Sequence, residues 1–253
     1  MSSPQATEPR KPFARLAAIA AALVAAIALG YALWQHDSQP QFLQVAEPEF
    51  VALFVAPPPV NSAQTRRELD ELLAIQQLRT SSEVEAARAD RKTEVWQFAK
   101  ALGLQPDQVE EMDALDDLAT LVEDDVRHYV RAAKHRFLRL RPYEIEARIE
   151  PCIDDVRGDL SYPSGHSTYG YVMALMLSDM VPERRPELMA RAQEFARQRA
   201  VCGVHFPSDL EAGRVGAEWL WNQFLKSAEY RAAAEPATLE LRTALALPLE
   251  ASK

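Results

Sequence analysis

Apolar positions along the chain fall into blocks with helical spacing. Between Ser62 and Arg91, Leu69, Leu72, Leu73, Ile75 and Leu78 recur among charged residues, the pattern of a surface helix with one face on a core. Asp107 to Arg139 predicts another helical stretch or two, and the acidic positions from Asp113 to Asp125 read as its solvated face. His166 to Met180 is strongly apolar and stops before Pro182, while Pro186 to Val201 is helical and rich in arginine. Both are expected to flank the functional site. A further helix is predicted from a Ser208 cap through Trp219, Trp221 and Leu225, followed by a short helix and loose tail from Ala232 to Lys253.

Composition supports the same class. Only 8 glycines occur in 253 residues, and long stretches are dominated by Ala, Leu, Glu, Gln and Arg, so an all-α fold is favoured over a sheet-rich one. A hydrophobic content of 48% suits one buried domain with extensions.

The N-terminus has a different pattern. Arg10, Lys11 and Arg15 precede an uncharged apolar run from Leu16 to Leu33, the order of a secretion signal, at the lower edge of the length that spans a bilayer. Residues 1–15 are thus a charged leader, and 16–33 a signal peptide or membrane anchor. Pro40, Pro48 and Pro57 to Pro59 make 34–61 an extended linker or arm. A helical catalytic domain is expected over 62–231, and a tail over 232–253. The expected location is periplasmic or secreted, with attachment through the single apolar run left open.

A net charge of −9 argues against a nucleic-acid surface, so any anion site must be a local concentration of cations. Cys152 and Cys202 fit an oxidising compartment, where a pair can form a bridge, although two buried free thiols are the alternative.

Three segments carry candidate chemistry. In Lys134 to Pro142, Lys134 and Arg141 are seven apart and so are expected on one helix face, with Pro142 biasing Arg141 towards an extended conformation. In Tyr162-Pro163-Ser164-Gly165-His166, Ser164 and Gly165 fall where a helix begins, so free N–H groups collect there. Ser164 can add a hydroxyl donor, and His166 can act on a bound ester. The third segment runs from Arg199 to Asp209 and sets a cation, the imidazole of His205 and the carboxylate of Asp209 in order. Asp209 on one ring nitrogen would leave the other as a lone pair, as a nucleophilic histidine needs. Singly, each segment has a plainer reading: a solvated basic face, an ordinary helix cap, a structural His-Asp pair.

Together they resemble the phosphatidic-acid-phosphatase type 2 and vanadium haloperoxidase superfamily, whose pattern is Lys-x6-Arg-Pro, Pro-Ser-Gly-His and Ser-Arg-x5-His-x3-Asp. Gln198 stands where that pattern has its Ser. The context of Ser161 to His166, Val201 to His205, Ser208-Asp209 and Pro57 to Pro59 is similar to bacterial class A nonspecific acid phosphatases. The resemblance implies a compact helical bundle and a Cys152–Cys202 disulfide. It also implies a metal-independent phosphatase without a cofactor, acting on a small phosphate ester. Lys134, Arg141, Ser164, Gly165 and Arg199 would bind phosphate, His205 would attack it, Asp209 would hold His205, and His166 would serve as acid and base. A vanadium-dependent haloperoxidase, a membrane-associated lipid phosphate phosphatase and a non-catalytic phosphate binder are the alternatives at this stage.

Overall fold

The computed structural model describes residues 40–109, 111–153 and 160–249. Among them are seven helices of eight residues or more: α1 (Ala63–Leu78), α2 (Ser81–Ala89), α3 (Asp113–Phe137), α4 (Gly165–Met180), α5 (Arg185–Val201), α6 (Pro207–Phe224) and α7 (Ala228–Ala244). No strand occurs among the described residues, so the fold is all-α. No helix among them is long and apolar enough to cross a membrane. The run from Leu16 to Leu33 lies outside the described residues.

Helix α4 is the axis, with α5 and α6 packed along it and α3 and α7 closing on it. Its sequence from Ser167 onwards is apolar on nearly every side, and Val172 to Ser178 are buried without interruption, as expected of a helix that has no face to give to water. Gly213 lets α6 come close: a Cβ there would stand 2.7 Å from both the Ser164 carbonyl oxygen and Ser167 Cβ. Any side chain at that position would push α6 away from the start of α4.

The expected surface helix over Ser62 to Arg91 is two helices. Arg79 turns extended, and Thr80 starts α2 with a capping box in which its hydroxyl accepts the Glu83 N–H while the Glu83 carboxylate accepts its own N–H. Helix α3 lays Leu115, Leu118, Val122, Val126, Tyr129 and Ala133 against the core at three- and four-residue spacing.

Asp125 corrects the reading of an acidic solvated face. It lies on that apolar stripe, is fully buried, and accepts the backbone N–H groups of Gln41, Phe42 and Leu43 at 2.5, 2.9 and 2.9 Å. Tyr129 donates its hydroxyl to the Val45 carbonyl at 2.8 Å. The segment read as a linker therefore belongs to the domain, which begins at Pro40 rather than Ser62. Prolines exclude a long helix there but not packing: Phe42, Leu43 and Phe50 are buried, each contributing about 1.5–3 kcal/mol.

The other boundary moves as well. The short helix and loose tail expected from Ala232 are one helix, α7, from Ala228 to Ala244, where Ala237 and Leu241 are buried and Arg242 donates to the Met180 carbonyl at 3.0 Å. Glu240 accepts the N–H of Leu115 at 3.0 Å, satisfying a donor that α3 cannot satisfy in its own first turn.

Cys152 and Cys202 form the disulfide that the resemblance implied. It closes a loop with a sequence separation of 50, for which chain entropy gives about 4 kcal/mol. The bridge lies in a small apolar cluster with Ala87, Ile153, Val201 and Val204.

Asp125→Ala leaves three buried N–H groups without an acceptor and is expected to lower the unfolding free energy by about 2–4 kcal/mol. Urea unfolding checks this, with Asp124→Ala, one position outside the stripe, expected to change stability by less than about 0.5 kcal/mol.

Candidate active site

Three stretches of chain converge at the first turn of α4. The first leaves α3 at Phe137, where Leu138 takes the left-handed conformation (φ 51°, ψ 33°) and donates its N–H to the Lys134 carbonyl. Beyond it the chain is extended and alternates: Arg139 and Arg141 are 6% and 3% exposed, while Leu140 between them is 46% exposed. Apolar out and cationic in is the reverse of the usual order, and period-two geometry turns both guanidinium groups to one side. Lys134 and Arg141 therefore do not share a helix face. Lys134 reaches the cleft from the last turn of α3, and Arg141 from an extended residue (φ −71°, ψ 154°) locked by Pro142.

The second stretch is the start of α4. Ser164 is its N-cap, fully buried, and its hydroxyl accepts the Ser167 N–H at 3.3 Å. It does not line the cleft, so its hydroxyl shapes the helix start from behind rather than facing the cleft as expected. Gly165 does line the cleft, and a Cβ there would meet protein only at Val130 Cγ1, 3.6 Å away, an ordinary contact. Packing does not require this glycine.

The third stretch turns out of α5 at Gly203, whose φ of 68° suits glycine and whose Cβ position lies 2.7 Å from Ile149 Cγ2. His205 follows, and Pro207 opens α6 as its first residue. Ser208 is not the cap: the cap residue is Phe206, and Asp209 accepts its N–H at 2.8 Å.

These stretches enclose a cleft of about 380 Å³ whose wall includes Lys134, Arg141, Gly165, His166, Arg199 and His205. The tautomer of His205 follows from its neighbours. Arg141 Nη1 can only donate and lies 2.7 Å from Nε2, so Nε2 carries the lone pair, and Nδ1–H is left for Asp209 Oδ2 at 3.3 Å. Burial, then the charges of Arg141 and Lys134, push the His205 imidazolium well below its ordinary range, so the ring is neutral.

Asp209 lies behind the cleft and is fully buried. Its carboxylate accepts from Arg139 Nη1 at 2.6 Å, Ser161 Oγ at 2.5 Å and the Phe206 N–H. Burial pushes this carboxyl up, and Arg139 and the other donors pull it back. Arg139 also binds Glu68 at 3.0 Å and Ser208 Oγ at 2.7 Å, and its guanidinium lies 3.9 Å over the Phe206 ring.

Arg199 is almost wholly buried. Nη2 donates to the Ala87 carbonyl at 2.6 Å, whereas Nε and Nη1 are enclosed without a partner among the described residues. Burial lowers it to about 10, against the opposing charge of Asp90, so it stays a cation at neutral pH. His166 lines the cleft beside it, stacked on Phe195 at 5.7 Å, with Nε2 donating to the Arg91 carbonyl at 2.8 Å. Burial, then Arg199, depress the His166 imidazolium to about 3.

Residues 119–231 match the family described as PAP2 superfamily. The chain carries a PAP2 superfamily domain. It is 43% identical over 90 residues to a non-specific acid phosphatase of Salmonella typhimurium, covering 34% of this chain and 36% of that protein. An acid phosphatase of Zymomonas mobilis is 29% identical over 200 residues, covering 76% of this chain and 75% of its own. A bacterial vanadium-dependent iodoperoxidase shares the fold, with a TM-score of 0.56 at 17% identity over 70% of this chain and 53% of its own. The first alignment thus spans well under two thirds of the Salmonella protein, whereas the second spans three quarters of the Zymomonas one.

Within the PAP2 domain the expected site residues come together, apart from Ser164 behind the wall and Asp209 behind His205. Arg139 and Glu68 did not emerge from sequence reasoning. Glu68 carried a signal, because Thr65, Glu68, Leu69 and Leu72 form one buried stripe of α1. A carboxylate on such a stripe implies a buried cation.

Two predictions follow from this geometry. Both imidazoles are neutral when folded, whereas an unfolded chain protonates them near pH 6.5, so the stability they contribute is present above roughly that pH and is lost as pH falls. An anion in the cleft offsets Arg199, Arg141 and Lys134 and lets His166 gain a proton. Sulfate, whose charge is constant here, should therefore raise the melting temperature more at about pH 5 than at about pH 7.5. Equal shifts would refute the coupling. Gly165→Ala should leave the melting temperature unchanged or slightly higher, while weakening phosphate or sulfate binding at least about tenfold in calorimetry.

Proposed function

We propose that this protein is a phosphoric monoester hydrolase that works through a phosphohistidine. The observation that carries the reading is the pairing of His205 Nε2, an oriented lone pair, with Arg199, a buried cation holding two unpartnered donors in the same cleft wall.

A monoester is held with its phosphoryl oxygens among Lys134, Arg141, Arg199 and the N–H groups of the first turn of α4. Arg141 moves from the His205 lone pair onto a phosphoryl oxygen as substrate arrives. Phosphoryl transfer spreads charge over the equatorial oxygens, and cations already in place once substrate is bound stabilise that charge without further reorganisation in the chemical step. His205 Nε2 attacks phosphorus, and the bond to the leaving oxygen breaks. The new cation on His205 is stabilised through Nδ1–H by Asp209.

His166 gives the leaving oxygen its proton from Nδ1, because Nε2 is committed to the Arg91 carbonyl. The negative ester offsets the cations that depress His166, so the acid form is populated with substrate bound. In the second step water attacks phosphorus, His166 takes its proton, and the P–N bond breaks to return His205 neutral.

Export belongs to the same proposal. The charged leader, the apolar run at 16–33 and the Cys152–Cys202 pair all suit an oxidising compartment.

Rapid quench with labelled substrate tests the chemistry, in neutral detergent because the P–N bond is acid-labile. Label should appear on the wild type and be absent from His205→Ala, with kcat falling about 10³- to 10⁵-fold. Label retained on His205→Ala sinks the assignment. His166→Ala should lose about 10²- to 10⁴-fold on alkyl phosphates but far less on para-nitrophenyl phosphate, whose leaving group needs no proton. Activity should survive chelation.

A further inference from the structure

A second cavity, also about 380 Å³, adjoins the cleft, and both are lined by Thr93, Glu123 and Tyr169. Its remaining wall holds Glu94, Asp116 and Trp96 among others, and no lysine or arginine lines it. Three carboxylates and an aromatic face thus line this cavity, and the cations that pair with them lie outside its lining. Two are engaged: Glu123 accepts from Thr93 Oγ1 at 2.5 Å and pairs with Arg127, and Glu94 pairs with Lys92 at 2.9 Å. The Asp116 carboxylate has no hydrogen bond or ion pair to a described residue.

Tyr169 marks the junction independently of the charges. It projects from α4 one turn after His166, is 2% exposed, and lines both cavities. Its hydroxyl makes no hydrogen bond to a described residue, yet it is not among the polar atoms sealed without a partner. A buried phenol has a strong need for a polar partner, and a ligand that passes from one cavity into the other supplies one.

We propose that this cavity receives the leaving group of the ester and selects an alcohol bearing an ammonium group. The proposal rests on the reading of the cleft as a phosphomonoester site. With the phosphoryl group among Lys134, Arg141 and Arg199, the alcohol passes Tyr169, which hydrogen-bonds to it. The ammonium lies against Asp116, Glu94 and Glu123 and over the Trp96 face, a combination that attracts cations through charge and ring quadrupole together. The cleft's other rim carries Arg127 and Arg131, so substrate polarity is set by two walls of opposite sign.

Three esters of matched size test this: aminoethyl, hydroxyethyl and carboxymethyl phosphate, with para-nitrophenyl phosphate as reference. kcat/KM should fall in that order by roughly five- to tenfold per step, the scale of partly screened charge contacts. Asp116→Asn combined with Glu94→Gln, both on exposed residues, should compress the series when each ester is expressed relative to para-nitrophenyl phosphate in the same variant. Tyr169→Phe should raise KM for aminoethyl phosphate more than it lowers kcat. A flat or reversed series in a protein that turns over the reference overturns this proposal and leaves the hydrolase reading intact. So does a carboxymethyl preference abolished by Arg131→Gln. Calorimetry on His205→Ala separates the two claims. If the wild type turns over no ester but aminoethyl phosphate still binds best, and Asp116→Asn removes that preference, the hydrolase reading fails and the cavity assignment stands.

Discussion

A carboxylate can hold an imidazole N–H in a dry interior only if its own charge is met, and in this domain Arg139 meets it. The guanidinium spans Asp209 on α6 and Glu68 on α1, with Ser208 and the Phe206 ring completing its surroundings. One cation thereby ties α1, the segment that leaves α3 and the start of α6 into a unit. Removing one partner from such a buried cluster leaves a charge without compensation, an effect of about 3–5 kcal/mol. The orientation of His205 thus depends on a residue that never lines the cleft.

That arrangement explains the turn at Leu138. Continuing α3 by one more turn would carry Arg139 and Arg141 around the helix, away from one another and from α6. Placing a leucine in the left-handed region costs roughly 1–2 kcal/mol, and the extended segment after it delivers both arginines to one side. Arg139 then serves the rear of His205 while Arg141 serves its front, at 2.7 Å from Nε2. Local backbone strain is offset by two placements that no regular helix provides.

How much of this was legible in the sequence depends on whether a residue acts beside its neighbours or across the fold. Lys134, Arg141, Gly165, His166, Arg199 and His205 could be placed because each belongs to a short string whose order carries the chemistry. Arg139 lay inside the first string, but its partners Glu68 and Asp209 are about 70 positions away, and no spacing encodes that meeting. Asp125 and Glu68 share a different lesson. Both are acidic residues on a buried helical stripe; Asp125 is read from its charge as solvated and Glu68 goes unremarked, because charge is weighed before phase. The arm from Pro40 was missed for a related reason: prolines rule out a helix, yet Phe42 needs only an acceptor for its N–H and a place for its ring, and Asp125 with Phe224 and Tyr230 gives both. Ser164 shows the limit of a motif, since the string locates the helix start without saying which of its groups faces inward.

The cleft gathers like charges by construction. Lys134, Arg141 and Arg199 converge in a wall where Arg199 keeps two enclosed donors without partners, and both histidines stay neutral beside them. Rigid attachment makes this possible: the disulfide, the Gly203 turn and the Ala87 carbonyl hold the Arg199 to His205 stretch against its own repulsion. A doubly negative group offsets the gathered positive charge, gives Arg199 acceptors, and restores the affinity of His166 for a proton. Anion binding and protonation of His166 are then one equilibrium seen from two sides, because each strengthens the other by the same free energy. On the proposed function, a protein with a net charge of −9 concentrates a phosphate ester at one point in this way and arms the acid only where the ester sits.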